Sequence, residues 1–172
     1  VRSRRQRQMC IRDSAQAMAE PDADKFIEAG TLERTQLESL TCWRPVEDGD
    51  KPYQEVIPSC VLYTRKRDGR HKARIVALGN RQKLSIKGEI YSPTISHAGN
   101  RYTLVEACAR GYSIAQFDIS NAFIKSVLSS DEKVILRLPK HWSKDPRGDL
   151  VRLLKALYGL RISPRRWFDT FR

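Results

Sequence analysis

Val61-Leu62-Tyr63-Thr64-Arg65-Lys66-Arg67-Asp68-Gly69-Arg70-His71-Lys72-Ala73-Arg74-Ile75-Val76 is the stretch from which the fold can be read. Two strand-like runs flank an Asp-Gly pair, and such a pair favours a two-residue hairpin because both central residues of that turn need positive φ. A turn at Asp68-Gly69 sets the register, so that Arg67 faces Arg70, Arg65 faces Lys72 and Tyr63 faces Arg74. Arg65, Lys72, Tyr63 and Arg74 then share one face, while Leu62 and Ile75 lie on the other and pack on a core. The expected object is a basic ribbon with an apolar back, suited to gripping phosphates. A merely soluble hairpin more usually mixes its signs, because like charges opposite one another repel.

The distribution of charge supports that reading. The protein has 172 residues and a formal net charge of +12, with hydrophobic content of 40%, enough for a modest core. Residues 61–88 hold nine basic residues against Asp68 alone, whereas residues 15–60 hold ten acidic and four basic ones. A basic block of that density is the footprint of a phosphate-binding surface, although a solvated basic face carries the same charge. Residues 1–14 are read as a non-native or disordered leader and left out of the fold, because Met9-Cys10-Ile11-Arg12-Asp13-Ser14 resembles the translation of a transposase adapter used in sequencing libraries. Cys10, Cys42, Cys60 and Cys108 are far apart and lack the spacing of a zinc site, so they are expected to be reduced thiols. No run reaches the length of a membrane span, and no secretory signal opens the chain; the expectation is an intracellular protein, in a cytoplasmic particle or the nucleus, with no membrane partner.

Outward from the hairpin, residues 22–40 carry Phe26, Ile27, Leu37 and Leu40 at roughly helical spacing, with Asp22 as candidate N-cap and Gly30-Thr31 as an interruption. Pro45, Pro52 and Pro58 with Gly49 and Asp50 mark a loop leading into a strand, which divides an N-terminal helix and loop, 15–60, from the rest, 61–172. Asn100 can cap a helix to Arg110 with Leu104, Val105 and Cys108 inward and Gly111 at its end. Residues 112–119 read as a strand with Ala115, Phe117 and Ile119 on one face and Ile114, Gln116 and Asp118 on the other. Residues 134–138 and 150–154 read as further strands, and Ser163-Pro164 as the N-cap and first residue of a last helix through Trp167 and Phe168. The fold class is α+β.

Chemistry points to Asp118, followed by Asn121, Ala122 and Phe123. A carboxylate at a strand end beside a turn with an aromatic can hold a divalent metal while the ring shapes a nucleotide pocket. By itself such an aspartate more often caps a helix or forms a turn.

Four motifs in order add to this: Lys72-Ala73-Arg74-Ile75-Val76-Ala77-Leu78-Gly79-Asn80-Arg81-Gln82; Tyr91-Ser92-Pro93; Gln116-Phe117-Asp118-Ile119-Ser120-Asn121-Ala122-Phe123; and Leu157-Tyr158-Gly159-Leu160 leading to Pro164-Arg165-Arg166-Trp167. Together they resemble the reverse transcriptase of copia-type retrotransposons from Trp43 to the end. The resemblance implies a partial polymerase right hand, with a fingers hairpin and part of an antiparallel palm sheet. It implies RNA-directed DNA synthesis on a primed RNA or DNA template from deoxynucleoside triphosphates, with two magnesium ions in the complete enzyme and the remainder of a retroelement polyprotein as partner. Asp118 would be the first metal-binding aspartate, helped by the backbone carbonyl of Ile119. Lys72 and Arg74 would meet the triphosphate, Asn121, Ala122, Tyr158 and Gly159 would line the nucleotide pocket, and Phe123 would be the steric gate against ribose. Tyr63 and Arg65 of the ribbon, with Arg81 and Arg165, would contact the nucleic acid.

The chain departs from the pattern at Ile162-Ser163, where the family usually has Gln-Ala, and at Ile124-Lys125-Ser126, where it has Leu-Asn-Gly. The Tyr-x-Asp-Asp hairpin that supplies the other metal-binding carboxylates does not occur in these residues, so the isolated chain is expected to be inactive. The rival expectation is a non-catalytic nucleic-acid-binding protein derived from such an element.

Overall fold

The structure is a computed structural model and describes residues 13–53, 55–82 and 90–172, so most of the expected leader lies outside the described residues. The elements are α1 (Ser14–Met18), α2 (Ala23–Ser39), β1 (Trp43–Pro45), β2 (Val56–Arg65), β3 (His71–Ala77), α3 (His97–Ala109), β4 (Ile135–Arg137), β5 (Leu150–Leu153) and α4 (Ser163–Phe171). The strands form one mixed sheet in the order β1-β5-β4-β2-β3, in which β2 and β4 run parallel and the other pairs antiparallel. The α+β class is observed, and the division expected at 60/61 falls inside β2.

The hairpin forms where expected, but its register is one residue different. Arg65 pairs with His71, Thr64 with Lys72, Tyr63 with Ala73 and Leu62 with Arg74. Only Gly69 has positive φ in the turn, at 84°, so the loop is the three residues Arg67 to Gly69, closed by Gly69 N–H on the Lys66 carbonyl (3.0 Å) and Lys66 N–H on the Arg70 carbonyl (2.8 Å). Asp68 avoids the left-handed conformation and accepts from Arg70 instead, through its backbone N–H (3.1 Å) and guanidinium (2.6 Å).

Burial explains the choice. The observed register puts Val61, Tyr63, Ala73, Ile75 and Ala77 on one buried face. Each large apolar side chain so buried contributes about 1.5–3 kcal/mol, against about 0.2–1 kcal/mol for a cross-strand pair on the surface. A slip by one residue turns every side chain over. Arg65 and Lys72 therefore lie on opposite faces, and the four-residue basic face expected from the sequence does not form. Tyr63 is 1% exposed and packs edge-on to Phe26, with ring centres 5.7 Å apart. Arg65 turns back to Asp22. The face left open carries Thr64, Lys66, Lys72 and Arg74, and Leu62 shares it.

Helix α2 packs its buried Phe26, Ala29, Gly30 and Leu37 on the closed face of the hairpin, leaving Ile27 and Leu40 exposed. Gly30 does not interrupt it. A Cβ there would stand 2.9 Å from the Tyr63 hydroxyl, so the glycine permits the close approach. Asp22 stands at the N-cap position as expected but makes no side-chain cap bond; its carboxylate accepts from Arg65 and from His71 Nε2 at 2.6 Å.

Helix α3 starts at His97, capped by the Ser96 hydroxyl on Gly99 N–H (3.0 Å) rather than by Asn100, and ends at Gly111 with φ 66° as expected. None of its residues is buried, so Leu104, Val105 and Cys108 do not point inward. Residues 112–119 form no strand, because no described neighbour offers them a hydrogen-bonding ladder. The strands at 135–137 and 150–153 agree with the reading, and α4 begins with Pro164 in its first turn although Ile162, not Ser163, is the cap residue.

The far edge of the sheet rests on one carboxylate. Arg44 of β1 and Arg152 of β5 stand directly opposite each other, a repulsive pairing. Asp50 enters between them on a short turn, bonded to Arg44 through both oxygens (2.7 and 2.9 Å), to Arg152 (2.6 Å) and to Glu47 N–H (2.9 Å). The Arg44 bond first, then the Glu47 amide and Arg152, hold this carboxyl far below the ordinary carboxylate range. The group is therefore ionised at neutral pH, and its stabilisation is lost only as acid protonates it. Asp50→Asn should lower the thermal unfolding midpoint by on the order of 10 °C at pH 7. The difference from wild type should close as pH falls below about 4, where unfolded aspartate titrates. Equal midpoints at pH 7 would remove Asp50 from this role.

Candidate functional site

The site is built on a turn wedged against the end of β3. After β5 the chain runs to Ala156, whose N–H bonds the Ser126 carbonyl (2.8 Å), and Ala77 N–H then bonds the Tyr158 carbonyl (2.8 Å). Gly79 and Gly159 touch backbone to backbone. A Cβ on Gly79 would lie 2.2 Å from the Gly159 carbonyl oxygen, and one on Gly159, at φ 86°, would lie 2.1 Å from that of Ala77. Leu157-Tyr158-Gly159-Leu160 is thus more than a generic turn; its glycine lets two main chains meet.

That contact brings together side chains far apart in sequence. The Arg74 guanidinium lies over the Tyr158 ring, 5.3 Å from its centre, a cation–π geometry. Phe123 meets the same ring edge-on, with centres 5.1 Å apart and planes at 70°. Phe123 sits on a single 3₁₀ turn, Ala122–Lys125, entered through Asn121 in the left-handed region (φ 56°, ψ 39°) and anchored by buried Ile124. Half-buried Asn121 and Ala122 flank it.

Beside this aromatic pair, the open face of the hairpin forms a hollow of about 450 Å³ lined by Thr64, Lys66, Arg67, Asp68, Arg70, Lys72 and Arg74. Burial, then the neighbouring charges of Arg74 and Lys66, lower the Lys72 pKa, while Glu33 and Asp118 pull the other way. A bound anion would relieve that crowding. Glu33, on α2, has its pKa raised by burial, partly offset by the Ile75 N–H and by Lys72 and Arg74.

A family model described as reverse transcriptase (RNA-dependent DNA polymerase) matches residues 42–172. The chain belongs to that family. Its relatives include the Gag-Pol polyproteins of transposons Ty1-DR5, Ty1-DR1 and Ty1-BL of Saccharomyces cerevisiae, copia-type elements, each 35% identical over 159 residues. The match covers 88% of this chain and 9% of each polyprotein.

Within this reverse transcriptase chain, Lys72, Arg74, Phe123, Tyr158 and Gly159 converge. Asp118 is exposed and its charge reaches Lys72, with half-buried Ile119 beside it. Arg81 is exposed on the turn after β3, whereas Arg165 lies on α4, paired with Asp169 (3.0 Å). Tyr63 and Arg65 face the other way. Among the described residues no group of three or more His, Cys, Asp or Glu side chains could hold a metal ion. One carboxylate and one carbonyl do not amount to a magnesium site.

Sequence reasoning missed Ser163, read as a helix cap. It is fully buried, and its hydroxyl donates to the Leu157 carbonyl (2.6 Å) and accepts the Leu157 N–H (3.1 Å). It also missed Glu33, for which an acidic helix face offered no signal.

The glycine contact is testable without any ligand. Gly159→Ala and Gly79→Ala should each lower the thermal midpoint by roughly 5–10 °C, from steric clash and, at Gly159, left-handed strain. Gly49→Ala, whose Cβ would meet nothing within 4 Å, should leave it nearly unchanged. Similar midpoints for all three proteins would show that the two main chains do not touch.

Proposed function

We propose that the open hairpin face and the Tyr158–Phe123 pair form the nucleotide end of a reverse-transcriptase active site, in a chain that serves RNA-directed DNA synthesis within a copia-type Gag-Pol polyprotein. The observation that carries this is the contact of Arg74, Tyr158 and Phe123. These residues come from three separate motifs and meet beside a basic hollow. In this reading the hairpin is the fingers of a polymerase right hand and the region of Asp118 is part of the palm.

Lys72 and Arg74, with Lys66 and Arg70 behind them, attract the triphosphate of an incoming deoxynucleotide. The guanidinium of Arg74 is held over the Tyr158 ring, so it presents its donors to the phosphates with less entropy to lose. The face of Phe123 not resting on Tyr158 closes the space beside the sugar and disfavours a 2′-hydroxyl. Tyr158 and Gly159 support the base and its template partner, and Arg81 contacts the nucleic-acid backbone. Magnesium would supply charge neutralisation at the transferred phosphoryl group. Asp118 and the Ile119 carbonyl are only part of the donor set that two such ions need, so the 172-residue chain is expected not to extend a primer. The template with its primer, the deoxynucleotides and the rest of the polyprotein are the partners this reading implies, inside the cell; no helix among the described residues is long and apolar enough to cross a membrane.

Calorimetric titration with a deoxynucleoside triphosphate tests the proposal. Lys72→Ala with Arg74→Ala should weaken binding about tenfold or more, the loss of two charge-assisted contacts. Arg65→Ala, on the opposite face, should leave it unchanged; a loss confined to Arg65→Ala would sink the assignment. Because Lys72 has a lowered pKa, affinity should begin to fall with rising pH below the ordinary lysine range, and Lys72→Arg should remove that fall. With a primed RNA template, the double alanine variant should also reduce the slope of log affinity against log salt by roughly 1–2.

A further inference from the structure

We infer that Ser163 is a positioning residue for sugar selection, acting on Phe123 through the turn that carries Tyr158. This rests on the proposed nucleotide site and adds a residue that touches no part of the nucleotide. Ser163 stands at the point where the chain departs from the motif it resembles, and the functional reading above gives it no task.

The chain of contacts is short. Phe123 is only half-buried, and Tyr158 is the aromatic ring against which it rests. The position of Tyr158 is set by its backbone, one end of which is Leu157, a residue 1% exposed. Both polar groups of the Leu157 main chain terminate on the Ser163 hydroxyl, which takes the N–H at 3.1 Å and gives its proton to the carbonyl at 2.6 Å. The remaining bond to that carbonyl, from Leu160 N–H, is long at 3.3 Å. Ser163 is itself 0% exposed and Ile162 beside it is 6% exposed, so neither gives water a route to replace the hydroxyl. One buried hydroxyl therefore closes the seven residues from Leu157 to Ser163 into a loop of fixed shape.

Removing the hydroxyl leaves an N–H and a carbonyl buried with poor partners, a state that main chains relax by moving. The far side of the turn cannot yield, because Gly159 is already in contact with Ala77 and Gly79. The near side, at Leu157, moves instead, and the Tyr158 side chain swings with it about the carbonyl that Ala77 N–H holds at 2.8 Å. The Tyr158 ring then no longer props Phe123 against the sugar, and the pocket admits a 2′-hydroxyl more readily. Arg74 stays on its strand, so triphosphate binding suffers less than discrimination does.

The test compares dATP with ATP by calorimetry on the full chain, in the wild type and in Ser163→Ala, Phe123→Ala and Asp50→Asn. The wild type should favour dATP, and Phe123→Ala should bring the ratio of the two dissociation constants close to one. Ser163→Ala should lower that ratio several-fold while weakening dATP less than the Lys72→Ala, Arg74→Ala protein does. Asp50→Asn should destabilise the chain at the β1–β5 edge, without touching Leu157, Tyr158 or Phe123, and should keep the wild-type ratio, which separates positioning from general loss of stability. A folded Ser163→Ala protein with the wild-type ratio would overturn the inference. If that protein does not fold, Ser163→Cys carries the test, since it fills the site with a thiol that is a weaker donor and acceptor; a wild-type ratio there overturns the inference equally. A wild type that binds both nucleotides equally would overturn the steric-gate reading on which this rests, and one that binds neither would overturn the nucleotide site itself.

Discussion

Only one face of the β2–β3 hairpin can be buried, and the side-chain period of two makes that choice absolute. Once Val61, Tyr63, Ala73 and Ile75 are inside, α2 has a surface on which to lie, and Lys72 and Arg74 must face outward on the other side. The three-residue loop at Arg67 to Gly69 is how the backbone meets that demand with a single left-handed residue. The cations of the open face are there because the apolar residues of the same strands are not. Function on one face follows from packing on the other.

The second constraint is the backbone contact between Gly79 and Gly159. It joins the end of β3 to a segment some eighty residues later, and without it Arg74 and Tyr158 would belong to separate surfaces. Glycine at both places is a steric requirement: any side chain would hold the two main chains apart and part Arg74 from Tyr158. Ser163 and Asp50 play comparable parts, each a small buried polar group that gathers backbone or charge which the core cannot otherwise accommodate.

The turn at Asp68-Gly69, the strands at 135–137 and 150–153, the proline start of α4 and the stop at Gly111 were legible because each depends on local chemistry. The register of the hairpin was not, since it turns on how many of the loop residues take positive φ, and Asp68 had two ways to behave. The reading favoured the turn preference of Asp-Gly; burial of Tyr63 overrode it, and with it the roles expected of Tyr63 and Arg65. The convergence of Lys72, Arg74, Phe123 and Tyr158 was legible through motif resemblance, not through spacing, for nothing in the distance from 74 to 158 announces contact. Helix α3 shows the limit of periodicity: Leu104 and Val105 sit at apolar positions of a real helix, and no described element covers them.

That uncovered stretch has a colloidal consequence. Tyr91, Ile95, Tyr102, Val105, Tyr112 and Phe117 are each more than 60% exposed within fewer than thirty residues, on a chain carrying a net charge of +12. Mutual repulsion keeps such molecules apart in dilute buffer, but its reach shrinks to about 10 Å at 0.1 M salt. Added salt therefore acts on this protein in two opposed ways: it frees the basic hairpin from whatever polyanion it has gathered, and it lets the bare apolar stretches of neighbouring molecules come within reach of one another.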